Sequence, residues 1–317
     1  MAVGLPATIV ALVGVVAPMA LGFGVGQVML PGESWMAHAF VGAMLAATSV
    51  GITARVLQEA KATRTPSARI ILGAAVIDDV LGLVVLAIIA GVIRAAAAGT
   101  TLAASDILAI VLKALAFLVG AILVGSYLSP RLFRRALALR SQGVVLALAM
   151  GLCFGFAWLA LQAGLAAIVG AFAAGLVMED VHFEDHLKRG ERPLHESLEP
   201  LIGLLVPVFF VRMGMLVDVR SFASPSVLGF AALLTVAAIV GKVACALATP
   251  RGVSGLTVGL GMMPRGEVGL IFAGIGAQLV LNGRPVVDAG TYAAAVFMVV
   301  ATTMATPPLL LWSIRRD

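Results

Sequence analysis

Two adjacent aspartates, Asp78 and Asp79, stand in the middle of an apolar run that is long enough to cross a lipid bilayer. The run extends over residues 70–90 and carries no other charged side chain. An ionisable group near the centre of a bilayer costs about 2.5–3.5 kcal/mol on insertion scales, so such residues usually serve a function. The pair is therefore our first candidate for a functional site, and the rest of the chain must indicate which function.

The composition excludes a soluble domain. Hydrophobic residues make up 61% of the 317 residues and charged residues only 12%, whereas soluble domains are about 45–50% apolar. Cys153 and Cys245 both lie inside apolar runs, which favours packed thiols over a disulfide or a metal site. We therefore predict an all-α polytopic membrane protein that uses no cofactor and is not an enzyme.

Apolar windows separated by charged or Gly/Pro-containing breaks predict ten transmembrane spans. They cover approximately residues 7–30, 37–55, 69–94, 106–128, 143–162, 164–178, 198–217, 226–249, 255–281 and 289–313.

The basic residues in the loops predict the orientation of these spans. Fourteen basic residues fall on one side of the membrane and three on the other, and the richer side is cytoplasmic by the positive-inside rule. The fourteen are Arg55, Lys61, Arg64, Arg69, Arg131, Arg134, Arg135, Arg140, Lys188, Arg189, Arg192, Arg251, Arg315 and Arg316. We expect both termini of this chain to be cytoplasmic in the cell's inner (plasma) membrane. The net charge of +5 then reflects topology rather than nucleic-acid binding.

The second span contains a predicted interruption over residues 47–53. Gly51 weakens a helix there, and the hydroxyls of Thr48 and Ser49 compete for backbone hydrogen bonds. The ninth span contains another interruption over residues 259–267. Pro264 removes a backbone donor at that point and clashes with the preceding turn.

The predicted orientation gives spans one to three the opposite topology to spans eight to ten, which indicates an inverted repeat. Opposed triplets whose middle helices are both interrupted are typical of secondary transporters, with the binding site near the bilayer midplane. We therefore assign residues 1–94 and 226–317 to the two halves of an ion-translocating core, with the two interrupted helices crossing near the midplane. Residues 95–225 are assigned to linking and dimerisation-type helices.

Several charged residues remain inside the predicted spans. Asp78 and Lys242 lie at comparable depths from the cytoplasmic ends of their spans, which allows an ion pair that lowers the cost of burying either charge. Adjacent helical residues point about 100° apart, so only one of the two aspartates can face Lys242. Spacing leaves open which one. Arg265 and Glu267 flank the second interruption, and we expect them to neutralise each other or the half-helix ends rather than to bind the ion.

Four motifs resemble those of the monovalent cation:proton antiporter superfamily, and the chain looks most like its NapA-type bacterial sodium/proton antiporters. The motifs are Thr-Ser-Val-Gly-Ile-Thr-Ala-Arg at 48–55, Gly-Ala-Ala-Val-Ile-Asp-Asp-Val-Leu-Gly-Leu at 73–83, Val-Gly-Lys-Val at 240–243 and Gly-Met-Met-Pro-Arg-Gly-Glu-Val-Gly at 261–269. The resemblance implies that Asp79 is the carboxylate that holds either the transported cation or protons. It also implies a salt bridge between Asp78 and Lys242, with Thr48 and Ser49 beside the site at the helix crossing.

By this resemblance the chain exchanges Na⁺ or Li⁺ for H⁺ by competition at Asp79, and the exchange is electrogenic if Lys242 also releases a proton. Family members of this type begin with roughly three further spans of ~20 residues each, which contribute to a dimerisation domain. We therefore expect N-terminal spans to be missing from this chain, and a homodimer if they are present.

Two functional alternatives remain open. The first is a K⁺/H⁺ antiporter or a K⁺ efflux-type transporter, and the second is a truncated, inactive copy. An intramembrane aspartyl protease is disfavoured because its two carboxylates must face each other from different helices, whereas Asp78 and Asp79 diverge on one.

Overall fold

The computed structural model describes residues 4–99, 103–138, 143–178 and 194–316. Arg140 and the basic residues of 188–192, which the orientation prediction uses, lie outside this range. The described chain is helical apart from its loops, two 3₁₀ turns and one short hairpin. The prediction of an all-α polytopic membrane protein is confirmed.

The helices follow one another with short connections. They are α1 Gly4–Met29, α2 Trp35–Ala46, α3 Val50–Glu59, α4 Pro66–Ala97, α5 Ala104–Ala138, α6 Val144–Gln162, α7 Ala167–Val177, α8 Leu194–Met215, α9 Pro225–Val243, α10 Gly255–Gly261, α11 Glu267–Gln278 and α12 Ala289–Ile314. The 3₁₀ turns are Val219–Ala223 and Ala244–Ala248, and the strands are β1 Val280–Leu281 and β2 Arg284–Pro285.

Eight helical segments of the described residues are long and apolar enough to cross a membrane. The second predicted span corresponds to one such segment, Trp35–Glu59, which comprises α2, α3 and the break between them. Two predicted spans are shorter than expected. The span at 164–178 contains only the 11-residue helix α7, and the span at 255–281 is divided into α10 and α11. Neither reaches the ~20 continuous helical residues that a bilayer crossing needs.

Side-chain caps explain where several helices begin. Ser34 Oγ accepts a hydrogen bond from Ala37 N at the start of α2, and Asp288 Oδ1 accepts one from Thr291 N at the start of α12. At α4, Thr65 caps the helix and is followed by Pro66 in the first turn, where a missing N–H costs nothing. These caps satisfy donors that would otherwise be unpaired.

The hairpin formed by β1 and β2 was not predicted from the sequence. Its two-residue turn places Asn282 at φ 52° and Gly283 at φ 77°, which is the Asn-Gly pattern of a tight hairpin. Each strand has only two residues, so no alternating pattern precedes or follows the turn to reveal it.

The helices divide into two compact units. The first contains residues 1–101 and 213–317, and the second contains residues 102–212. In the second unit, Phe133, Ala149 and Leu194 form a buried apolar cluster. Every predicted site residue lies in the first unit.

Helix α1 is central to the first unit, where it packs against α2, α4 and α9. Glycines allow these close approaches. A Cβ atom on Gly22 would lie 2.8 Å from the Cα of Gly42 on α2, and one on Gly241 of α9 would lie 2.6 Å from the Cα of Pro18. Small residues at such contacts let helix backbones approach closely, as is common inside membranes.

Candidate ion-binding site

The first helix interruption comprises residues 47–49, between the end of α2 and the start of α3 at Val50. Thr48 and Ser49 lie inside it, and each is 2% exposed. The predicted interruption at 47–53 is too long, because Gly51 lies inside α3 and is exposed. Contacts with the second interruption, rather than the flexibility of Gly51, therefore account for the break.

The second interruption comprises residues 262–266, between Gly261 at the end of α10 and Glu267 at the start of α11. Pro264 lies in its centre, as the sequence predicts, but the predicted interruption at 259–267 is too long, because residues 259–261 belong to α10 and Glu267 begins α11. The backbone at Gly266 passes so close to the first interruption that a Cβ atom would lie 2.6 Å from both Cβ and Oγ of Ser49. Only glycine fits this approach without a shift of the backbone or of Ser49.

Main-chain groups join the two interruptions. Ser49 N donates a 2.9 Å hydrogen bond to the carbonyl oxygen of Pro264. Thr53 Oγ1, in the first turn of α3, donates a 2.6 Å bond to the carbonyl oxygen of Gly261. Both interactions satisfy backbone groups that an uninterrupted helix would pair internally.

Side chains of the first interruption also contact the second. Thr48 Oγ1 donates to the carbonyl oxygen of Met262 at 3.4 Å, and Ser49 Oγ donates to Glu267 Oε2 at 3.2 Å. Glu267 is exposed, whereas both hydroxyl-bearing residues are buried. The two breaks thus form one polar layer inside the first unit.

Arg265 is completely buried beside this layer. Its Nη1 donates a 2.8 Å hydrogen bond to the carbonyl oxygen of Ala47, and its Nη2 donates a 3.3 Å bond to that of Ala238 on α9. Ala47 follows the last residue of α2, where free carbonyls carry a partial negative charge. Among the described residues Arg265 forms no ion pair with Glu267. The sequence predicted that Arg265 neutralises either Glu267 or a half-helix end. In the structure it contacts the half-helix end of α2.

Two threonines of α12 bind the backbone of Arg265, and the sequence analysis did not identify them. Thr302 Oγ1 accepts a 3.3 Å hydrogen bond from Arg265 N, and Thr303 Oγ1 donates a short hydrogen bond to the carbonyl oxygen of the same residue. The run Thr302-Thr303 in an apolar helix was the available signal. Threonine hydroxyls in helices commonly donate to a carbonyl oxygen of the preceding turn. The two threonines alone therefore did not predict a contact with another segment.

Asp78 and Lys242 form a buried ion pair, in which Lys242 Nζ lies 2.6 Å from Asp78 Oδ1 and both side chains are 0% exposed. α4 supplies the aspartate, and the last turn of α9 supplies the lysine. Asp78 Oδ2 is buried without a hydrogen-bond partner among the described residues. The structure places Lys242 against Asp78, which settles the spatial pairing that spacing alone left open.

Asp79 is only partly buried, and among the described residues it forms no ion pair with Lys242, which pairs with Asp78 instead. Its Oδ1 is buried and has no hydrogen-bond partner in the described part of the chain. The carboxylate lies within electrostatic reach of Asp78, Glu267 and Lys242. An unpaired carboxylate in a low-dielectric surrounding gains from binding either a proton or a cation. The two aspartates thus differ: Asp78 has a fixed cationic partner and Asp79 has none.

The chain as a whole resembles a known transporter family. A sequence model described as "Sodium/hydrogen exchanger, transmembrane" matches residues 1–312. The high-affinity Na⁺/H⁺ antiporter NhaS3 of Synechocystis sp. is 39% identical over 316 residues, which cover 97% of this chain and 65% of that protein. The Na⁺/H⁺-K⁺ antiporter GerN of Bacillus cereus is 31% identical over 306 residues, which cover 95% of this chain and 73% of that protein.

Potassium-efflux proteins match less well. The glutathione-regulated potassium-efflux system protein KefC of Klebsiella pneumoniae is 27% identical over 290 residues, which cover 44% of that protein. The chain thus spans about two thirds of the length of NhaS3 and about three quarters of that of GerN. It spans less than half of the length of KefC. NhaS3 and GerN are thus both more identical to this chain than this KefC protein and matched over more of their length.

Proposed function

The chain belongs to the sodium/hydrogen exchanger family, and from this premise we propose that it exchanges Na⁺ or Li⁺ for H⁺ across a membrane. The observation that carries the proposal is the buried Oδ1 of Asp79, which has no hydrogen-bond partner in the described part of the chain and lies within electrostatic reach of Glu267 at the end of the second interruption. The alternative of a K⁺ efflux-type transporter is less well supported, because the KefC match is weaker and shorter.

Competition at Asp79 would couple the two fluxes. One carboxylate cannot hold a proton and a sodium ion at once, so protonation on one side of the membrane releases the cation. Deprotonation on the other side admits the next cation, and no ATP is needed. The Asp79 carboxylate and the Ser49 hydroxyl, which bonds Glu267, are hard oxygen groups of the kind that unpolarisable cations prefer.

The buried ion pair would add a second proton to the cycle. When a cation attracts Asp78, the contact between Asp78 and Lys242 weakens, and the buried ammonium then loses the charge that compensates it. If Lys242 releases its proton at this step, two protons exchange for one sodium ion and transport moves net charge.

The interruptions would hold the site in place. Backbone groups in a membrane interior are tolerated only where protein or water covers them. Thr48 and Arg265 bond carbonyl oxygens of the two breaks, Ser49 and Pro264 pair through their main chains, and Glu267 accepts a hydrogen bond from the Ser49 hydroxyl. We assign residues 1–94 and 226–317 to the ion-translocating core and residues 95–225 to linking and dimerisation-type helices. We further propose a homodimer in the plasma membrane, with both termini of this chain cytoplasmic.

Reconstitution tests the proposed exchange. Proteoliposomes with an imposed ΔpH should show dequenching of a pH-sensitive dye when Na⁺ or Li⁺ is added outside. Asp79→Asn should abolish this flux while the protein remains folded, because the buried Oδ1 of Asp79 has no hydrogen-bond partner among the residues that the structure describes. Asp218→Asn is a matched control, because Asp218 is exposed and only accepts a hydrogen bond from Arg220 N. Undiminished flux in Asp79→Asn would refute the role of that residue.

Potassium is the second candidate substrate, because the name of the Bacillus cereus relative includes K⁺. The same proteoliposomes should be tested with K⁺ in place of Na⁺. A response to K⁺ alone would overturn the sodium assignment, and no response to any of the three cations would overturn the proposed exchange. Generation of a membrane potential during Na⁺ addition, read with a voltage-sensitive dye, tests whether transport is electrogenic.

A further inference from the structure

Gly14 of α1 lies directly against the buried ion pair. A Cβ atom at this position would lie 3.2 Å from Lys242 Nζ, 3.3 Å from Asp78 Oδ1 and 3.2 Å from Cys245 Sγ. Gly14 itself is buried. Three polar atoms, from α4, from α9 and from the 3₁₀ turn Ala244–Ala248, thus converge on a position of α1 that has no side chain to exclude them.

α1 cannot easily retreat from this contact. Pro18, one helical turn after Gly14, is in backbone contact with Gly241, and a Cβ atom on Gly241 would lie only 2.6 Å from its Cα. Gly241 directly precedes Lys242, so the same turn of α9 is held against α1 at both positions. A methyl group on Gly14 would therefore displace the flexible end of Lys242 rather than the helix backbone.

We propose that Gly14 is a positioning residue for the exchange site, which holds α1 close enough to keep Lys242 and Asp78 in contact and dry. This inference rests on the proposed function, in which the pair must form and break during each cycle. α1 supplies the wall that excludes water from the pair. Exclusion of water strengthens the attraction between the two charges and thereby sets how readily a cation can compete for Asp78.

The experiment compares three glycines of the same helix. Gly14→Ala adds a methyl group beside the ion pair. Gly24→Ala adds one where no atom lies within 4 Å, and Gly22→Ala adds one against the backbone of Gly42. Each variant is measured for Na⁺-dependent H⁺ flux across a pH series and for thermal unfolding in detergent, both in the parent chain and with Lys242→Gln.

Gly14→Ala should shift the pH profile of flux and lower the maximal rate several-fold. Its effect on the unfolding midpoint should shrink or vanish in the Lys242→Gln chain, because the displaced atom is then absent. Gly24→Ala should resemble the parent in every measurement. Gly22→Ala should lower the unfolding midpoint by the same amount in the parent chain and in the Lys242→Gln chain. The effects of two substitutions add when the sites share no partner.

An equal effect of Gly14→Ala in both chains would overturn the proposal, as would a pH profile identical to that of Gly24→Ala. If Gly14→Ala does not fold, the double variant Gly14→Ala with Cys245→Ala relieves one of the three contacts. It should recover folded protein with the shifted pH profile, and recovery with an unshifted profile would refute the positioning role. If the parent chain shows no cation-dependent flux, the proposed exchange fails, while the unfolding data still decide whether Gly14 acts on the pair.

Discussion

Ser49 N donates a 2.9 Å hydrogen bond to the carbonyl oxygen of Pro264, so each helix interruption satisfies a backbone group of the other. The bond joins two segments that are more than two hundred residues apart in the sequence. Broken helices are otherwise costly in a membrane, because unpaired amide and carbonyl groups have no water to bind. The two interruptions thus form one structural element, and a change in either should affect both.

A methyl group at Gly266 should separate the two interruptions. The Cβ atom of Gly266→Ala would lie 2.6 Å from Ser49 Cβ and Oγ, and overpacking of this kind costs about 1–3 kcal/mol. We expect a lower unfolding midpoint and a reduced rate of Na⁺-dependent H⁺ flux in proteoliposomes. Gly274→Ala on α11 is the matched control, because nothing lies within 4 Å of its added methyl group. Equal behaviour of the two variants would contradict the close approach.

The sequence predicted the helices and the interruptions better than it predicted what holds the interruptions together. Long apolar runs identify membrane helices directly, and Pro264 marks the second break because proline cannot donate in a helix. Gly51 misled the prediction of the first break, since glycine is tolerated inside a helix when surrounding contacts support it. The break ends before Gly51, because α3 begins at Val50. The Pro264 carbonyl oxygen accepts the hydrogen bond of Ser49 N, the last residue of the break.

Contacts between distant segments could not be predicted from one sequence. The depth of Lys242 in its span allowed contact with either aspartate, and only the rotation of α4 about its axis brings Asp78 to face it. Gly14 carried no signal, because the chain contains 35 glycines and packing between helices is not encoded in local spacing. Thr303 was missed for the same reason.

Removal of one member of the buried ion pair should destabilise the protein strongly. Asp78→Asn leaves Lys242 buried without a countercharge, and Lys242→Gln leaves Asp78 in the same situation. Each change should cost about 3–5 kcal/mol of unfolding free energy. Thermal unfolding followed by intrinsic tryptophan fluorescence in detergent should show this as a lower midpoint for either variant.

The double variant Asp78→Asn with Lys242→Gln separates pairing from other contributions. The double variant buries no charge at these two positions, so neither side chain needs a countercharge. It should therefore be more stable than at least one of the single variants. It should nevertheless lose the charge movement during Na⁺ addition, because no lysine proton remains to be exchanged. Additive destabilisation in the double variant would show that the 2.6 Å contact contributes little to stability.

Arg265→Lys should be poorly tolerated although it keeps the positive charge. The guanidinium reaches the carbonyl oxygens of Ala47 and Ala238 with two different nitrogens, and a single ammonium cannot reproduce this fork. The carbonyl oxygen of Ala47, which lies in the first interruption rather than inside a helix, would lose its donor, at a cost of about 1–3 kcal/mol. The unfolding midpoint should fall and the flux should decrease. Arg55→Lys, at an exposed arginine that pairs with Glu59, should leave both measurements unchanged.

Thr303→Val tests whether α12 supports the second interruption. Valine has nearly the same shape as threonine but cannot donate to the carbonyl oxygen of Arg265, and an unpaired buried acceptor costs about 1–3 kcal/mol. Thr235→Val is the matched control, because the hydroxyl of Thr235 donates only to Ala231 O, one turn earlier in its own helix. That carbonyl keeps its helical hydrogen bond after the change, so the control should be close to neutral in stability. If both variants unfold at the same temperature as the parent, the hydroxyl of Thr303 does not hold the break. The backbone of residues 262–266 is then stabilised by its other contacts, with Thr48, Ser49 and Thr302.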